Sequence, residues 1–178
     1  MLREDVIKEI EEKKIMVVVR NIYDDELIRL ADALAKGGVK CFEITYDQTD
    51  PDTLTKIERN IKKLDALFGD KLLLGVGTVL TPEQVVNAKK AGAKFIVSPN
   101  FNEEVVKKTI EEGLVSIPGC MTPTEICRAD EAGADFIKLF PAGTLGLKYC
   151  KDIYAPLHHV RYLATVGVSE ETFEEYLK

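Results

Sequence analysis

Leu80-Thr-Pro-Glu-Gln-Val-Val-Asn-Ala-Lys-Lys-Ala-Gly-Ala-Lys-Phe-Ile-Val97 recurs 41 residues later as Met121-Thr-Pro-Thr-Glu-Ile-Cys-Arg-Ala-Asp-Glu-Ala-Gly-Ala-Asp-Phe-Ile-Lys138. In each copy a Thr stands where a helix N-cap is needed. Pro follows at the first helical position, which has no partner for an N–H. Gln84 and Glu125 fall three residues after their Thr and complete capping boxes. Ala-Gly-Ala closes each helix, with Gly92 and Gly133 as left-handed caps, and a β-rich Phe-Ile run follows. The repeat is a helix–strand unit used twice. Its copies differ at one telling place: the apolar Val97 of the first is Lys138 in the second.

Working outward, the same alternation covers the chain. Strands are expected at Ile15–Arg20, Lys40–Thr45, Lys71–Gly75, Lys94–Ser98, Leu114–Ile117, Asp135–Phe140 and Val160–Thr165. Amphipathic helices are expected at Asp24–Lys36, Asp52–Leu67, Pro82–Ala91, Glu103–Glu112, Pro123–Ala132, Leu145–Tyr154 and Glu170–Lys178, and another over Met1–Lys14. Strands apolar on both faces and separated by helices imply a parallel sheet buried under helices. The connections are short, so residues 1–178 read as one domain. The fold class is therefore α/β, a TIM-type (β/α) barrel. It is incomplete, with about seven βα units and no eighth strand, since a closed barrel uses about 200 to 250 residues. Such a barrel is open, completed by a partner, or shortened from a longer protein.

Bulk properties narrow the function classes. With 178 residues, 46% hydrophobic, the chain can bury a sizeable core. A net charge of −6, with basic residues interleaved among acidic ones, gives no footprint for nucleic acid. No run approaches the roughly eighteen apolar residues of a membrane span. The N-terminus lacks an apolar signal core. Cys41, Cys120, Cys127 and Cys150 form no Cys-x-x-Cys pair, and there are only two histidines. Reduced thiols in a cytoplasmic protein, with no structural zinc site, are the expectation.

Polar groups end four apolar strands: Arg20, Glu43 with Thr45, Lys138, and Thr165. Barrel sites form where strands end. Phe136, Lys138 and Phe140 share one strand face, as do Cys41, Glu43 and Thr45. A buried ion pair between Glu43 and Lys138 is the bland explanation. The chemical one is a lysine nucleophile. An amine attacks a carbonyl only when neutral, so its pKa must drop from about 10.4 to about 7–8, a bias of roughly 3–4 kcal/mol. Burial among Phe136 and Phe140 supplies desolvation, and Arg20 adds like-charge repulsion. Glu43 is the carboxylate available to move protons. Gly75-Val-Gly-Thr78 is read as a turn whose bare backbone approaches a ligand closely, with Thr78 as a donor.

Glu43-Ile-Thr45, Gly75-Val-Gly-Thr-Val79, Phe95-Ile-Val-Ser-Pro99, Ile117-Pro-Gly119 and Phe136-Ile-Lys-Leu-Phe-Pro141 occur in the order found in the 2-keto-3-deoxy-6-phosphogluconate (KDPG) and 4-hydroxy-2-oxoglutarate (KHG) aldolases. The chain resembles that family over nearly its whole length. The resemblance implies a (β/α)8 barrel, a homotrimer, no cofactor, and class I cleavage of a keto acid to pyruvate plus glyceraldehyde 3-phosphate or glyoxylate. By matching motif it implies that Lys138 is the Schiff-base lysine and Glu43 the general acid/base. Thr78, Pro99 and Phe140 then line the pyruvyl pocket, and Arg20 holds the substrate carboxylate. Some members carry an arginine four residues after the Glu, where this chain has Asp47. The family's Thr-Gly-Gly phosphate turn reads Thr165-Val-Gly167 here. Val166 brings a branched side chain that disfavours positive φ. A barrel without turnover, serving as an oligomeric assembly or binding module, is the alternative reading.

Overall fold

The structure is a computed structural model and describes residues 1–177. Five parallel strands, β1 (Met16–Val19), β2 (Cys41–Thr45), β3 (Leu73–Gly77), β4 (Phe95–Val97) and β5 (Val115–Ile117), pair in sequence order. Three more, β6 (Gly119–Cys120), β7 (Ile137–Leu139) and β8 (Tyr162–Ala164), form a second parallel sheet. β5 and β6 flank Pro118, β6 prolonging the expected Leu114–Ile117 strand, so the eight described segments occupy the seven expected strand positions. Proline has no N–H to give to a ladder. Its carbonyl still accepts from Lys138 N at 2.9 Å, which ties the break between the two sheets to β7.

Helices alternate with the strands: α1 (Arg3–Lys13), α2 (Asp24–Lys36), α3 (Thr53–Phe68), α4 (Pro82–Ala91), α5 (Glu103–Glu111), α6 (Pro123–Glu131), α7 (Ala142–Tyr154) and α8 (Phe173–Tyr176). Thr81 and Thr122 each accept from the backbone N–H three residues on, and the reciprocal Gln84 and Glu125 contacts complete both capping boxes. Gly92 and Gly133 both have positive φ, at 108° and 91°. α7 departs from expectation. It starts at Ala142, three residues before the predicted Leu145, and Gly146, at φ 79°, ψ 161°, breaks it. The expected helix over Glu170–Lys178 is one turn, and Lys178 lies outside the described residues.

Apolar side chains sort into three groups. Cys41, Leu73, Phe95, Val97, Val115, Ile117 and Phe136 fill the barrel interior, and Val6 and Ile10 of α1 pack onto that group. A second group, including Phe42, Ile44, Leu74, Ile61 and Leu64, joins the outer sheet face to its helices. A third, including Ile126, Ala129, Ile137, Leu139 and Ile153, does the same for α6, α7 and the second sheet. Asp135 accepts from Ser116 N at 2.9 Å and pairs with Arg3 at 2.7 Å, which ties α1 to the barrel floor.

Among the described residues, β1 and β8 each have one strand neighbour. The barrel is open between them, and Val18 on β1 is 42% exposed as a result. Cavities of about 390 and 370 Å³ border β8 on this side, under α8. Their linings include neither Glu43 nor Lys138. Both lie at the open seam.

Candidate active site

Lys138 is the middle residue of β7, and Glu43 the middle residue of β2. Cys41 and Phe136, two positions before Glu43 and Lys138, belong to the interior group, while Phe42, Ile44, Ile137 and Leu139 pack outward, so the period-2 alternation turns Glu43 and Lys138 toward the interior. Glu43 is 2% exposed and Lys138 8%. Among the described residues they form no direct ion pair. The bland reading of a buried salt bridge is therefore set aside. Each remains within the other's electrostatic reach. Burial pushes the Glu43 carboxyl up to about 7, against the pull of Lys138 and then Arg20. Burial also holds the Lys138 ammonium below its usual range, opposed by Glu43 and reinforced by Arg20. An acid near neutrality beside a depressed amine is the pairing that proton-shuttling chemistry requires.

The surrounding groups are placed by strand register. Gly119 pairs with Lys138, and a side chain at Gly119 would collide with the Pro99 backbone at 2.4 Å. Pro99 is thereby seated next to the lysine strand. The Phe140 ring lies 4.9 Å from Lys138 Nζ, close enough for a cation–π contact with the ammonium form. Phe136 sits deeper, within the interior group with Cys41 and Phe95. Glu43 pairs with Gly75, and Thr45 with Gly77. The Thr45 hydroxyl donates to Val19 O at 3.4 Å, so it is committed to the buried wall.

Arg20, just past β1, is exposed at the rim. Its guanidinium donates to Thr78 Oγ1 at 3.4 Å. Thr78 follows β3 with φ at 55°, unusual for a β-branched residue. Thr165 and Gly167 follow β8, and Thr165 N donates to Leu139 O at 3.2 Å on the lysine strand. Thr165 O and Val166 O accept from Ala142 N and Gly143 N at 3.0 and 2.8 Å, which occupies the first N–H groups of α7. Gly167 and Gly143 touch backbone to backbone, leaving 2.6 Å for a Cβ. Val166 takes φ 71°, the conformation its side chain disfavours.

A profile of the family described as KDPG and KHG aldolase matches residues 6–178. A 2-dehydro-3-deoxy-phosphogluconate aldolase of Treponema pallidum is 37% identical over 173 residues, 97% of this chain and 79% of that protein. The chain belongs to the KDPG and KHG aldolase family. It is a class I aldolase, a carbon–carbon lyase on an open TIM-type frame, and an inactive assembly module is not favoured. A 2-dehydro-3-deoxy-6-phosphogalactonate aldolase of Escherichia coli is 34% identical over 164 residues, 92% of this chain and 77% of that one. Among solved structures, KDPG aldolase from Legionella pneumophila, with pyruvate captured as a covalent carbinolamine, is similar at 29% identity and a TM-score of 0.77. That match covers 91% of this chain and 75% of that one.

Sequence reasoning missed what the glycines do. Gly75 and Gly77 were expected to bare the backbone to a ligand. A Cβ at Gly75 would instead meet the Phe95 ring at 2.1 Å, and one at Gly77 would meet Glu43 Oε1 at 1.7 Å. They make room for a core ring and for the carboxyl itself. Gln48 was also missed: its Nε2 donates to Thr78 O at 2.7 Å. No local pattern marks a contact that spans 30 residues.

Proposed function

We propose that this aldolase cleaves 2-keto-3-deoxy-6-phosphogluconate, 4-hydroxy-2-oxoglutarate, or both, with Lys138 as the Schiff-base nucleophile and Glu43 as the general acid/base. The observation that carries the proposal is the pair itself: two oppositely ionising groups, each under a tenth exposed, in one barrel interior without an ion pair between them. A buried pair kept for stability closes into contact, because separation leaves both desolvation penalties unrelieved. A catalytic pair leaves room for the substrate.

In this reading the neutral Lys138 Nζ attacks the keto carbon. Glu43 carries a proton to the forming hydroxyl, and water leaves to give the iminium. The C3–C4 bond then breaks, its electron pair moving into the iminium to give the enamine. The proton of the C4 hydroxyl passes to the Glu43 carboxylate, and the aldehyde departs. Glu43 protonates the enamine at C3, and water releases pyruvate and restores Lys138. A carboxyl near 7 can serve in both directions at neutral pH. Arg20 and Thr78 hold the substrate carboxylate, Pro99 and Phe140 line the pyruvyl end, and Thr45 supports the wall. Thr165 and Gly167 face the far end of the substrate.

By resemblance to the family, the active form is a cytoplasmic homotrimer of this one domain. No described helix is long and apolar enough to cross a membrane. The direct test is incubation with pyruvate and borohydride followed by peptide mass analysis. An adduct on Lys138 that disappears in Lys138→Ala is expected; an adduct elsewhere, or none, rejects the assignment.

A further inference from the structure

Gln84, 7% exposed, stands in the first turn of α4 with both ends of its amide in use. Its Oε1 accepts from Leu80 N at 2.7 Å and Thr81 N at 3.3 Å. Backbone N–H groups can only donate, so the carbonyl end of Gln84 must face them and its NH2 must face outward. That NH2 donates to Gln48 Oε1 at 2.9 Å. The Gln48 amide is oriented in turn, and its Nε2 donates to Thr78 O at 2.7 Å. Two backbone donors therefore dictate the orientation of the Gln48 side chain, two links away, and through it reach the Thr78 carbonyl.

The carbonyl at the end of this chain belongs to a residue that needs holding. Thr78 occupies the left-handed region at φ 55°, where a β-branched residue is an outlier that persists only if its surroundings over-determine it. Val79 N, bonded to Val97 O at 3.2 Å, anchors the peptide on the far side of Thr78, and Gln48 anchors its carbonyl. Held this way, Thr78 presents Oγ1 to the Arg20 guanidinium at 3.4 Å. Arg20 is a charge that both Glu43 and Lys138 feel.

We infer that Gln48 is a positioning residue: oriented by Gln84, it locks Thr78 and through Thr78 sets Arg20, so that the carboxylate end of the keto acid meets a prepared pair of donors. Gln48 touches no reacting atom, and the inference rests on the assignment of Lys138 as the Schiff-base lysine. Its signature is weaker keto-acid capture without slower chemistry.

The experiment measures pyruvate trapping by cyanoborohydride in the full chain against pyruvate concentration, for wild type, Gln48→Glu and Gln48→Met. Glutamate keeps the shape and still accepts from Gln84, but sets an oxygen against Thr78 O. Methionine removes the donor without adding charge. The half-saturating pyruvate concentration should rise about tenfold in Gln48→Glu at pH 8 and less in Gln48→Met, with the maximal trapping rate within about twofold of wild type. The Gln48→Glu defect, taken relative to wild type, should shrink as pH falls through about 4.3, where protonation returns an O–H donor. Half-saturation unchanged in both variants overturns the inference, as does a fall in maximal rate alone. A wild type that forms no Lys138 adduct overturns the Lys138 assignment, and this inference with it.

Discussion

Glu43 occupies the space that a side chain on Gly77 would need: a Cβ there would fall 1.7 Å from Oε1 and 2.5 Å from Cδ of the carboxyl. The two residues sit on neighbouring strands, two positions out of register, with Glu43 beside Gly75 and Gly77 beside Thr45. The acid/base therefore rests on a glycine of the next strand, which fixes where its oxygens can lie.

Gly77→Ala should displace the Glu43 carboxyl while leaving the fold intact. A loss of at least about 100-fold in kcat/KM is expected, since small misplacements of a catalytic group cost that much. The accompanying stability loss is about 1–3 kcal/mol for one methyl forced into a packed interior. Aldol-cleavage kinetics with urea unfolding of the same preparation checks both figures. Full activity would show that the carboxyl position does not matter.

Glu43→Gln tests the pH dependence. Burial raises the folded carboxyl from 4.5 to about 7, so between those values the native state holds a proton that the unfolded chain has released. Stability from this group is thus present below about 4.5, falls as pH rises through the window, and levels off above about 7. The difference is on the order of 3 kcal/mol. Unfolding followed by circular dichroism at pH 4.5 and pH 8 should show that decline in the wild type and a smaller one in the variant. The limb near pH 7 in the rate profile should disappear along with most of the activity.

Val166→Gly removes a β-branched side chain from φ 71°. Relief of left-handed strain, about 1–2 kcal/mol, exceeds the added freedom of glycine in the unfolded chain, about 0.5–1 kcal/mol. A net gain near 1 kcal/mol and a rise in Tm of about 3 °C are expected. The bared turn should also lower KM for a phosphorylated keto acid while leaving KM for an unphosphorylated one unchanged, which parallel assays on the two substrates decide.

Asp135→Ala cuts the tie between α1 and the barrel floor. The carboxylate accepts from Arg3 Nε at 3.0 Å and from Ser116 N at 2.9 Å, so its loss strands a buried N–H and an arginine. A destabilisation of about 2 kcal/mol is expected, a fall of roughly 6 °C in Tm. Scanning calorimetry would register it, and an unchanged transition would show that this polar tie adds nothing to the packing of Val6 and Ile10.

What could be read without the structure follows the range of the signals. α2 and α4 were expected at Asp24–Lys36 and Pro82–Ala91, and both run over those residues, because amphipathic spacing and, for α4, the capping box act within one or two turns. β3 was expected two residues too early at each end, since the Gly75-Val-Gly77 segment looks like a turn when its neighbours are unknown. The break at Pro118 is a single proline whose lost N–H matters only once two sheets compete for one strand.

The site divides in the same way. Lys138 and Glu43 stood out in the sequence because a charge in an apolar strand contradicts its surroundings, and the repeat showed Val97 in the matching place. Their separation without an ion pair, the glycine beneath Glu43, and the relay from Gln84 through Gln48 to Thr78 were decided by tertiary structure alone. Strand identity and helix ends are written in contacts a few residues apart. Which side chains share a barrel interior depends on register and closure, where partners 30 or more residues apart are chosen together.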